Sequence, residues 1–236
     1  MQRTVESGIV TAMSFMQIGF ITFTFLGPVL LWRLSSKVQS PRIAHGISLS
    51  LAAILFVTYL LHLGRLWNEG LLTPKHALPL QLCDWAAFAT LFALIRRKPM
   101  AFELAYFWGI AGTMQALFTP AAELDNDLFT WCFYIIHSII PASVFWLMFE
   151  FRLRPRPGAM WKVLAWSEVY LVCALLGNTA TGANFGFLAH RPPQKTLLDI
   201  IPDPYWLYVL CINAIAVLFF LLLDLPWVIR RKMTKC

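Results

Sequence analysis

One short polar segment of the chain carries a candidate nucleophile. The segment PLQLCDW begins with Pro79, where a helix is expected to start, and places Cys83 between Gln81 and Asp84. The N-terminus of a helix favours negative charge, which suits a thiolate. His137 lies in a separate apolar stretch and is the candidate base. A cysteine that a histidine deprotonates can form covalent acyl intermediates.

This cysteine and histidine predict acyl transfer through a thioester. Burial in an apolar site keeps a thiol protonated, so Cys83 needs a neighbouring imidazole to remove its proton. We expect His137 to take that proton, the sulfur to attack an ester carbonyl, and the acyl thioester to pass its chain to a second nucleophile. Gln81, Gln115 and backbone amides are candidates to hold the oxyanion. The Asp84 carboxylate either orients the imidazole or bonds the neighbouring loop.

The composition places these residues in a membrane protein. Hydrophobic residues make up 59% of the 236 residues and charged residues only 13%, which argues against an ordinary soluble domain. The net charge of +7 is spread over short clusters beside apolar runs, as in juxtamembrane anchors, so no nucleic-acid partner is expected. The five cysteines are an odd number without CxxC or Cys/His spacing, and no metal site or cofactor is expected.

Seven apolar runs are long enough to form membrane spans. About 20 helical residues cross the roughly 30 Å apolar core of a bilayer. The first run has this length and no cleavage pattern after it, which predicts a retained helix. The sequence therefore predicts an all-α bundle of seven transmembrane helices that forms a single domain over residues 1–236. The predicted spans are 14–32, 43–64, 79–95, 101–119, 130–150, 160–178 and 204–229.

Lys and Arg are distributed unevenly between alternate connecting segments. One alternating set of tails and loops, counted together with Lys162 at the adjoining start of the sixth span, carries 14 of the 19 basic residues, and the other carries 5. Positively charged loops tend to stay in the cytoplasm, so the sequence predicts an outer N-terminus and an inner C-terminus. The inner set includes the clusters that start at Arg96, Arg152 and Arg230, while the acidic loop around Asp125 is predicted outside. The expected location is the bacterial cytoplasmic membrane.

Several polar groups converge near the outer end of the predicted bundle. The third and fifth spans both run inward, which puts Cys83 about one turn and His137 about two turns below the outer surface. Gln115 closes the outward-running fourth span, and Asn184 follows the sixth. Pro141 is expected to kink the fifth helix and open a pocket beside the histidine. The predicted substrate-binding residues are Gln81, Asp84, Gln115 and Asn184.

Besides Glu150, which ends the fifth predicted span, three other carboxylates lie within the predicted spans. Glu103, near the inner start of its helix, is expected to cap the positive end of the helix dipole. Asp224 is expected to pair with Arg230 or Arg231 in the basic tail. Glu168 lies deeper, and both a structural and a functional role stay open for it.

The longest predicted loop lies between the sixth and seventh spans. Its residues, 179–203, are rich in turn formers but also include apolar side chains such as Phe185, Phe187, Leu197 and Leu198. This apolar content predicts a packed loop rather than an exposed connector.

Four motifs resemble, in this order, the bacterial YwaF-like integral membrane family, over a stretch from about residue 50 to the last helix. They are LPLQLCDW at 78–85, FELAYFWGIAGTMQALFTP at 102–120, the histidine of FYIIHSIIP, and GANFGFLAHRPPQKTLLDIIPDPYWLY. That family is similar to a eukaryotic transmembrane acyltransferase that moves a polyunsaturated chain from phosphatidylcholine to a lyso-ether phosphatidylethanolamine. Its activity is attributed to a cysteine and a histidine in motifs that correspond to those of Cys83 and His137. The resemblance implies an acyltransferase whose partners are membrane phospholipid and lysophospholipid.

Two classes of function remain after these observations. The first is an acyltransferase, or an acyl hydrolase, that uses Cys83 and His137 on a membrane lipid. The second is an ion or solute transporter in which the carboxylates Asp84, Glu103, Glu168 and Asp224 line a path. A metal-dependent lipid hydrolase is disfavoured because no HxxxH or HExxH pair occurs. A retinal protein is excluded because the last predicted span contains no lysine.

Overall fold

The chain folds into a bundle of helices in the computed structural model, which describes residues 15–120, 127–191 and 204–233. Helix covers most of each predicted apolar run, and the described ranges contain no strand, so the all-α prediction is confirmed. The elements are α1 (Phe15–Val38), α2 (Pro41–Asn68), α3 (Pro74–Ala77), α4 (Leu82–Arg96), α5 (Pro99–Phe107), a π-helix (Trp108–Thr113), α6 (Gln115–Phe118), α7 (Leu128–Glu150), α8 (Ala159–Thr181), a 3₁₀ turn (Phe185–Phe187) and α9 (Tyr205–Met233).

Polar contacts at its two ends define how the bundle is arranged. At one end Gln17 of α1 donates a 2.7 Å hydrogen bond to the Leu117 carbonyl in α6. At the other end Ser35 of α1 donates to the Glu150 carboxylate of α7 over 2.9 Å. Helices α1 and α7 therefore run in parallel, and the α5–α6 segment runs against them. We call the second end the basic end, because Arg97 and the arginines that follow α7 lie there.

Within the described residues, five helices are long and apolar enough to cross a membrane: α1, α2, α7, α8 and α9. Large apolar side chains face outward on them, as lipid contact requires; examples are Leu30, Phe56, Leu176 and Leu222. These features make the chain a multi-pass membrane protein. Helix α4 has only 15 residues, and the fourth predicted span is divided between three shorter elements. The count of seven spans, their orientation and the single domain stay predictions.

Helix α7 occupies the centre of the bundle. In its most apolar stretch 61% of the residues are buried, against 28% or less in the other four long helices, so α7 is surrounded by protein rather than by lipid. Its buried Trp146 donates a 2.9 Å hydrogen bond to the Ser48 hydroxyl of α2. A residue on α7 is therefore held by packing from several neighbouring helices.

The fourth predicted span is not a continuous α-helix. Helix α5 passes into the π-helix, which is followed by the single turn α6. Two glycines let the π-helix approach its neighbours closely. A Cβ atom on Gly109 would lie 2.8 Å from Ile140 of α7, and one on Gly112 would lie 2.7 Å from Leu82 of α4. The π-helix thus packs directly against both elements that carry the candidate cysteine and histidine, and such segments are frequent at functional sites.

The predicted partners of the intramembrane carboxylates are only partly confirmed. The cap predicted at Glu103 is wrong: this carboxylate is fully buried and accepts two 2.7 Å bonds from the Arg156 side chain and a 3.0 Å bond from its backbone N–H. A buried carboxylate needs a charged partner, which explains the ion pair. The predicted pairing of Asp224 is confirmed, with Arg231 at 3.2 Å. Glu168 is exposed on α8, without an ion pair among the described residues.

Candidate functional site

Cys83 is the second residue of α4, at the end of the bundle opposite the basic end. The helix begins at Leu82 and not at Pro79, because the preceding residues form an extended lead-in with Gln81 as the N-cap. As a whole residue, Cys83 is partly exposed. N–H groups in the first turn of a helix lack acceptors within the helix and favour negative charge. The position of Cys83 therefore suits a nucleophilic sulfur.

Asp84 and Gln81 fix the start of α4. The Asp84 carboxylate accepts a 3.0 Å hydrogen bond from the Gln81 backbone N–H. Gln81 Oε1 accepts a 2.9 Å bond from the backbone N–H of Gly186, which joins α4 to the segment after α8. Of the two roles predicted for Asp84, these contacts match the bond to the neighbouring loop. The carboxylate also opposes a permanent negative charge on Cys83, so a base has to remove the thiol proton during attack.

His137 is buried in α7 with a fixed ring orientation. Its Nδ1 lies 2.7 Å from the Phe133 carbonyl oxygen. Since a carbonyl only accepts hydrogen bonds, Nδ1 is assigned the ring proton, and the lone pair of the neutral ring is on Nε2. The Phe133 ring stacks on the imidazole with centroids 4.2 Å apart. Pro141, one turn further along, has no N–H and leaves the His137 carbonyl without its helical partner.

The π-helix relates the depth of His137 to that of the start of α4. Ile140 packs on Gly109, and Leu82 packs on Gly112. Helix α7 and the π-helix run in opposite directions. The three residues from Ile140 back to His137 therefore cover about the same distance along the bundle axis, and in the same direction, as the three residues from Gly109 to Gly112. His137 and the first turn of α4 therefore lie at about the same level of the bundle.

Asn184 and Gln115 form hydrogen bonds within their own segments. Asn184 Oδ1 accepts from two backbone N–H groups of its own loop, at 2.9 and 3.1 Å, and its Nδ2 donates to the His190 carbonyl at 2.8 Å. Gln115 Nε2 donates to the Ala111 carbonyl of the π-helix at 2.6 Å. Both amides thus stabilise local backbone at the same end of the bundle as the cysteine.

The predicted site residues share one end of the bundle but form separate hydrogen-bonded units. In the described part of the chain, no hydrogen bond joins the Cys83 thiol to the His137 ring. Gln115 and Asn184 likewise make no hydrogen bond to either of these residues. The packing of α4, the π-helix and α7 places them at this end of the bundle.

Two tyrosines next to Cys83 were missed by the sequence prediction. Tyr59 of α2 packs edge-to-face on Phe88 of α4, with ring centroids 5.6 Å apart. Tyr170 also makes an edge-to-face contact with Trp85, with ring centroids 5.4 Å apart. A phenolic hydroxyl can donate to an oxyanion that develops nearby. The signal was present in the sequence, since a tyrosine within an apolar run places a hydroxyl at membrane depth.

The segment after α8 closes over this end of the bundle. Phe185 and Leu188 are 2% and 3% exposed, so the predicted packed loop is confirmed for its described part. Asn178 exchanges two hydrogen bonds with the Phe185 backbone, accepting from the N–H at 2.6 Å and donating to the carbonyl at 3.1 Å. Leu197 and Leu198, which contributed to the prediction, lie outside the described residues.

The apolar helices and their polar interior contacts define a multi-pass membrane protein with a partly exposed cysteine at one end. Residues 9–224 match the TMEM164 family, and the chain belongs to this family. An uncharacterized protein of Treponema pallidum (strain Nichols) is 29% identical over 165 residues, which cover 70% of this chain and 65% of that protein. The match therefore spans less than two thirds of the relative's length. No solved structure matches the chain. The resemblance to the YwaF-like family stays a prediction.

Proposed function

We propose that this protein is a membrane-embedded acyltransferase that moves a fatty acyl chain between phospholipid and lysophospholipid. Cys83 is the nucleophile and His137 is the general base. The observation that carries the proposal is the hydrogen bond from His137 Nδ1 to the Phe133 carbonyl, because it leaves Nε2 available to accept a proton. In this proposal the N-terminus lies on the outer side of the cytoplasmic membrane and the C-terminus on the inner side. Cys83 is then near the outer surface, so the lipid enters from the outer leaflet.

The reaction has two half-steps that share one intermediate. His137 Nε2 takes the thiol proton as the Cys83 sulfur attacks the ester carbonyl of a phospholipid. The tetrahedral intermediate collapses, the C–O bond breaks, and the leaving lysophospholipid oxygen receives the proton from the imidazolium. The hydroxyl of a second lysophospholipid then gives its proton to Nε2 and attacks the thioester. The C–S bond of the thioester breaks, and the Cys83 sulfur takes the proton from the imidazolium, which restores the enzyme.

Three features of the surroundings support these roles. Cys83 is a partly exposed residue in the first turn of α4. His137 lies at about the depth of the first turn of α4, and the hydrogen bond between base and nucleophile often tightens only when substrate is bound. Tyr59 and Tyr170 pack on Phe88 and Trp85 of the helix that carries Cys83, and their hydroxyl groups are candidates to stabilise the oxyanion.

The transporter alternative has less support. Asp84 bonds the start of its own helix, Glu103 pairs with Arg156, and Asp224 pairs with Arg231. Asp84 lies at the opposite end of the bundle from the other two. Among the described residues these carboxylates therefore do not line one continuous path.

The test is acyl transfer by the full-length protein purified in detergent. A phospholipid labelled in its acyl chain is the donor and an unlabelled lysophospholipid is the acceptor. We expect Cys83→Ala to abolish transfer and His137→Gln to lower the rate by at least about 100-fold, since general base catalysis contributes that much or more. Mass spectrometry of the wild-type protein with donor alone should find an acyl group on Cys83. A new labelled phospholipid indicates a transferase, whereas labelled free fatty acid indicates a hydrolase.

Matched variants control for loss of folding. Cys173→Ala removes another partly exposed cysteine, and His62→Gln removes a histidine of α2. Both variants should keep wild-type activity. Transfer that continues at the wild-type rate in Cys83→Ala, or an acyl adduct on a different cysteine, would refute the mechanism.

A further inference from the structure

Two adjacent cavities lie at the basic end, about 20 Å along α4 from Cys83. The larger has a volume of about 550 Å³ and lies between the ends of α1, α4 and α7 and the start of α2. The smaller has a volume of about 370 Å³ and extends towards α9. Both are lined by Trp32, Phe149 and Arg152, so they are adjacent, and we call the two together the basic groove.

The basic groove carries an excess of positive charge. Its cationic and titratable basic lining residues are His45, Arg97, Arg152, Arg154 and Arg230. Glu150 is the one carboxylate among the described lining residues, and it already accepts a hydrogen bond from Ser35. The groove is therefore electrostatically suited to an anion and not to a cation.

Two of the arginines have donors that no described residue uses. Arg97 donates to His45 through Nη2 at 3.1 Å and stacks on the Phe151 ring at 4.0 Å. Its Nε, however, is buried and has no hydrogen-bond partner in the described part of the chain. Arg152 makes no hydrogen bond or ion pair with any described residue, although it borders both cavities. A buried donor without an acceptor is unfavourable, and a bound anion would supply the acceptor.

The other walls of the groove indicate what carries this anion. Trp32, Phe149 and Trp227 provide apolar surface beside the arginines. Tryptophan is enriched where membrane helices meet the headgroup layer, and the long helices that border the groove have apolar outer faces. Free phosphate would use the arginines alone. A phospholipid would use the arginines for its phosphate and the aromatic wall for its glycerol and the start of its acyl chains.

We propose that the basic groove binds an anionic phospholipid through its phosphate, with Arg152 and Arg97 as the phosphate ligands. Guanidinium groups bind phosphate oxygens in a bidentate manner, which a single ammonium cannot reproduce. This site is separate from the candidate acyl-transfer site and does not depend on it. The lipid in the groove stabilises the basic end, where four helices and the segment after α7 converge.

The test is the thermal stability of the full-length protein in detergent as lipid is added. Unfolding is followed by tryptophan fluorescence with short-chain phosphatidylglycerol, short-chain phosphatidylcholine or inorganic phosphate at the same concentrations. We expect phosphatidylglycerol to raise the Tm of the wild type in a saturable manner. Arg152→Gln should raise the lipid concentration for half of this effect by about tenfold, and Arg152→Lys should raise it less.

A matched variant separates this site from general surface charge. Arg96→Gln removes the same charge from the same end, but Arg96 is exposed and does not line the groove. It should respond to lipid as the wild type does. If Arg152→Gln does not fold, Arg154→Gln is the second variant, since Arg154 lines the smaller cavity and faces the Trp227 ring at 5.9 Å. It should also require more lipid.

Three results would overturn the proposal. Equal losses in Arg96→Gln and in the groove variants would indicate diffuse charge attraction. Equal stabilisation by phosphatidylcholine would remove the preference for an anionic lipid. A saturable shift with inorganic phosphate but none with phosphatidylglycerol would assign the groove to a soluble phosphate and not to a membrane lipid.

Discussion

Replacement of Gly186 by alanine should destabilise the protein through two separate effects. Gly186 has a φ of +64°, which side chains of L residues rarely adopt. An added Cβ would also lie 2.5 Å from the Tyr170 hydroxyl oxygen. The same residue donates its N–H to Gln81 and so connects the segment after α8 to the start of α4. The substitution therefore tests how this segment is held against the candidate site.

The two effects can be estimated and separated. Left-handed backbone costs a residue with a Cβ about 1–2 kcal/mol, and overpacking of a filled site costs about 1–3 kcal/mol. Gly186→Ala should therefore lower the free energy of unfolding by about 2–5 kcal/mol. The buried Tyr170 hydroxyl has no hydrogen-bond partner among the described residues, so Tyr170→Phe alone should be nearly neutral. The double variant should lose only the backbone cost of about 1–2 kcal/mol.

Thermal unfolding in detergent measures these differences. For a chain of this size 1 kcal/mol corresponds to about 2–4 °C in Tm. Gly182→Ala is the matched control, because Gly182 has a φ of +67° but open space around its Cβ position. It should show the backbone cost alone. A double variant that is as unstable as Gly186→Ala would refute the steric contact with Tyr170, and a neutral Gly186→Ala would refute the backbone geometry.

Two further predictions concern charged groups. Glu103→Gln removes the carboxylate of the ion pair with Arg156, whose side chain is 46% exposed and can be hydrated. We therefore expect the free energy of unfolding to fall by about 3 kcal/mol, the lower end of the range typical of a broken buried pair. Arg156→Gln leaves a buried carboxylate without its partner and should lower the free energy of unfolding more. The same unfolding assay checks the order, and a smaller loss for Arg156→Gln would contradict it. The hydrogen bond from the Thr130 backbone N–H holds the pKa of Asp127 below its usual value. The ionised carboxylate therefore stabilises the start of α7 at pH values above the unfolded pKa of about 3.9. This stabilisation is lost as the pH falls through the folded pKa. Tm between about pH 5 and pH 3 should therefore fall more steeply for the wild type than for Asp127→Asn, and parallel profiles would refute this.

The helices could be predicted because lipid imposes a length and a composition on each span. Helices α7 and α8 begin and end within three residues of the predicted limits. The break in the fourth predicted span was not foreseen. It accompanies the close approach of Gly109 to Ile140 and of Gly112 to Leu82, and such contacts depend on which helices become neighbours. The hydropathy of one segment does not indicate which helices will become its neighbours.

The reactive residues were identified by type, but most of their partners were not. Gln81 and Gly186 are 105 residues apart in sequence, and Glu103 and Arg156 are 53 apart. No spacing rule connects positions at such separations. The one ion pair that was predicted, Asp224 with Arg231, lies within two turns of the same helix, where helical geometry fixes the neighbours.

The distance between the two ends of α4 separates the two proposals made for this protein. In a phospholipid the ester carbonyls lie next to the phosphate, within the headgroup layer. A lipid whose phosphate binds Arg152 or Arg97 therefore has its esters about 20 Å from Cys83, too far for attack by the sulfur. The lipid in the basic groove cannot be the acyl donor, and Arg152→Gln should leave acyl transfer at saturating substrate unchanged. Loss of transfer in a folded Arg152→Gln protein would mean that the two ends of the bundle communicate.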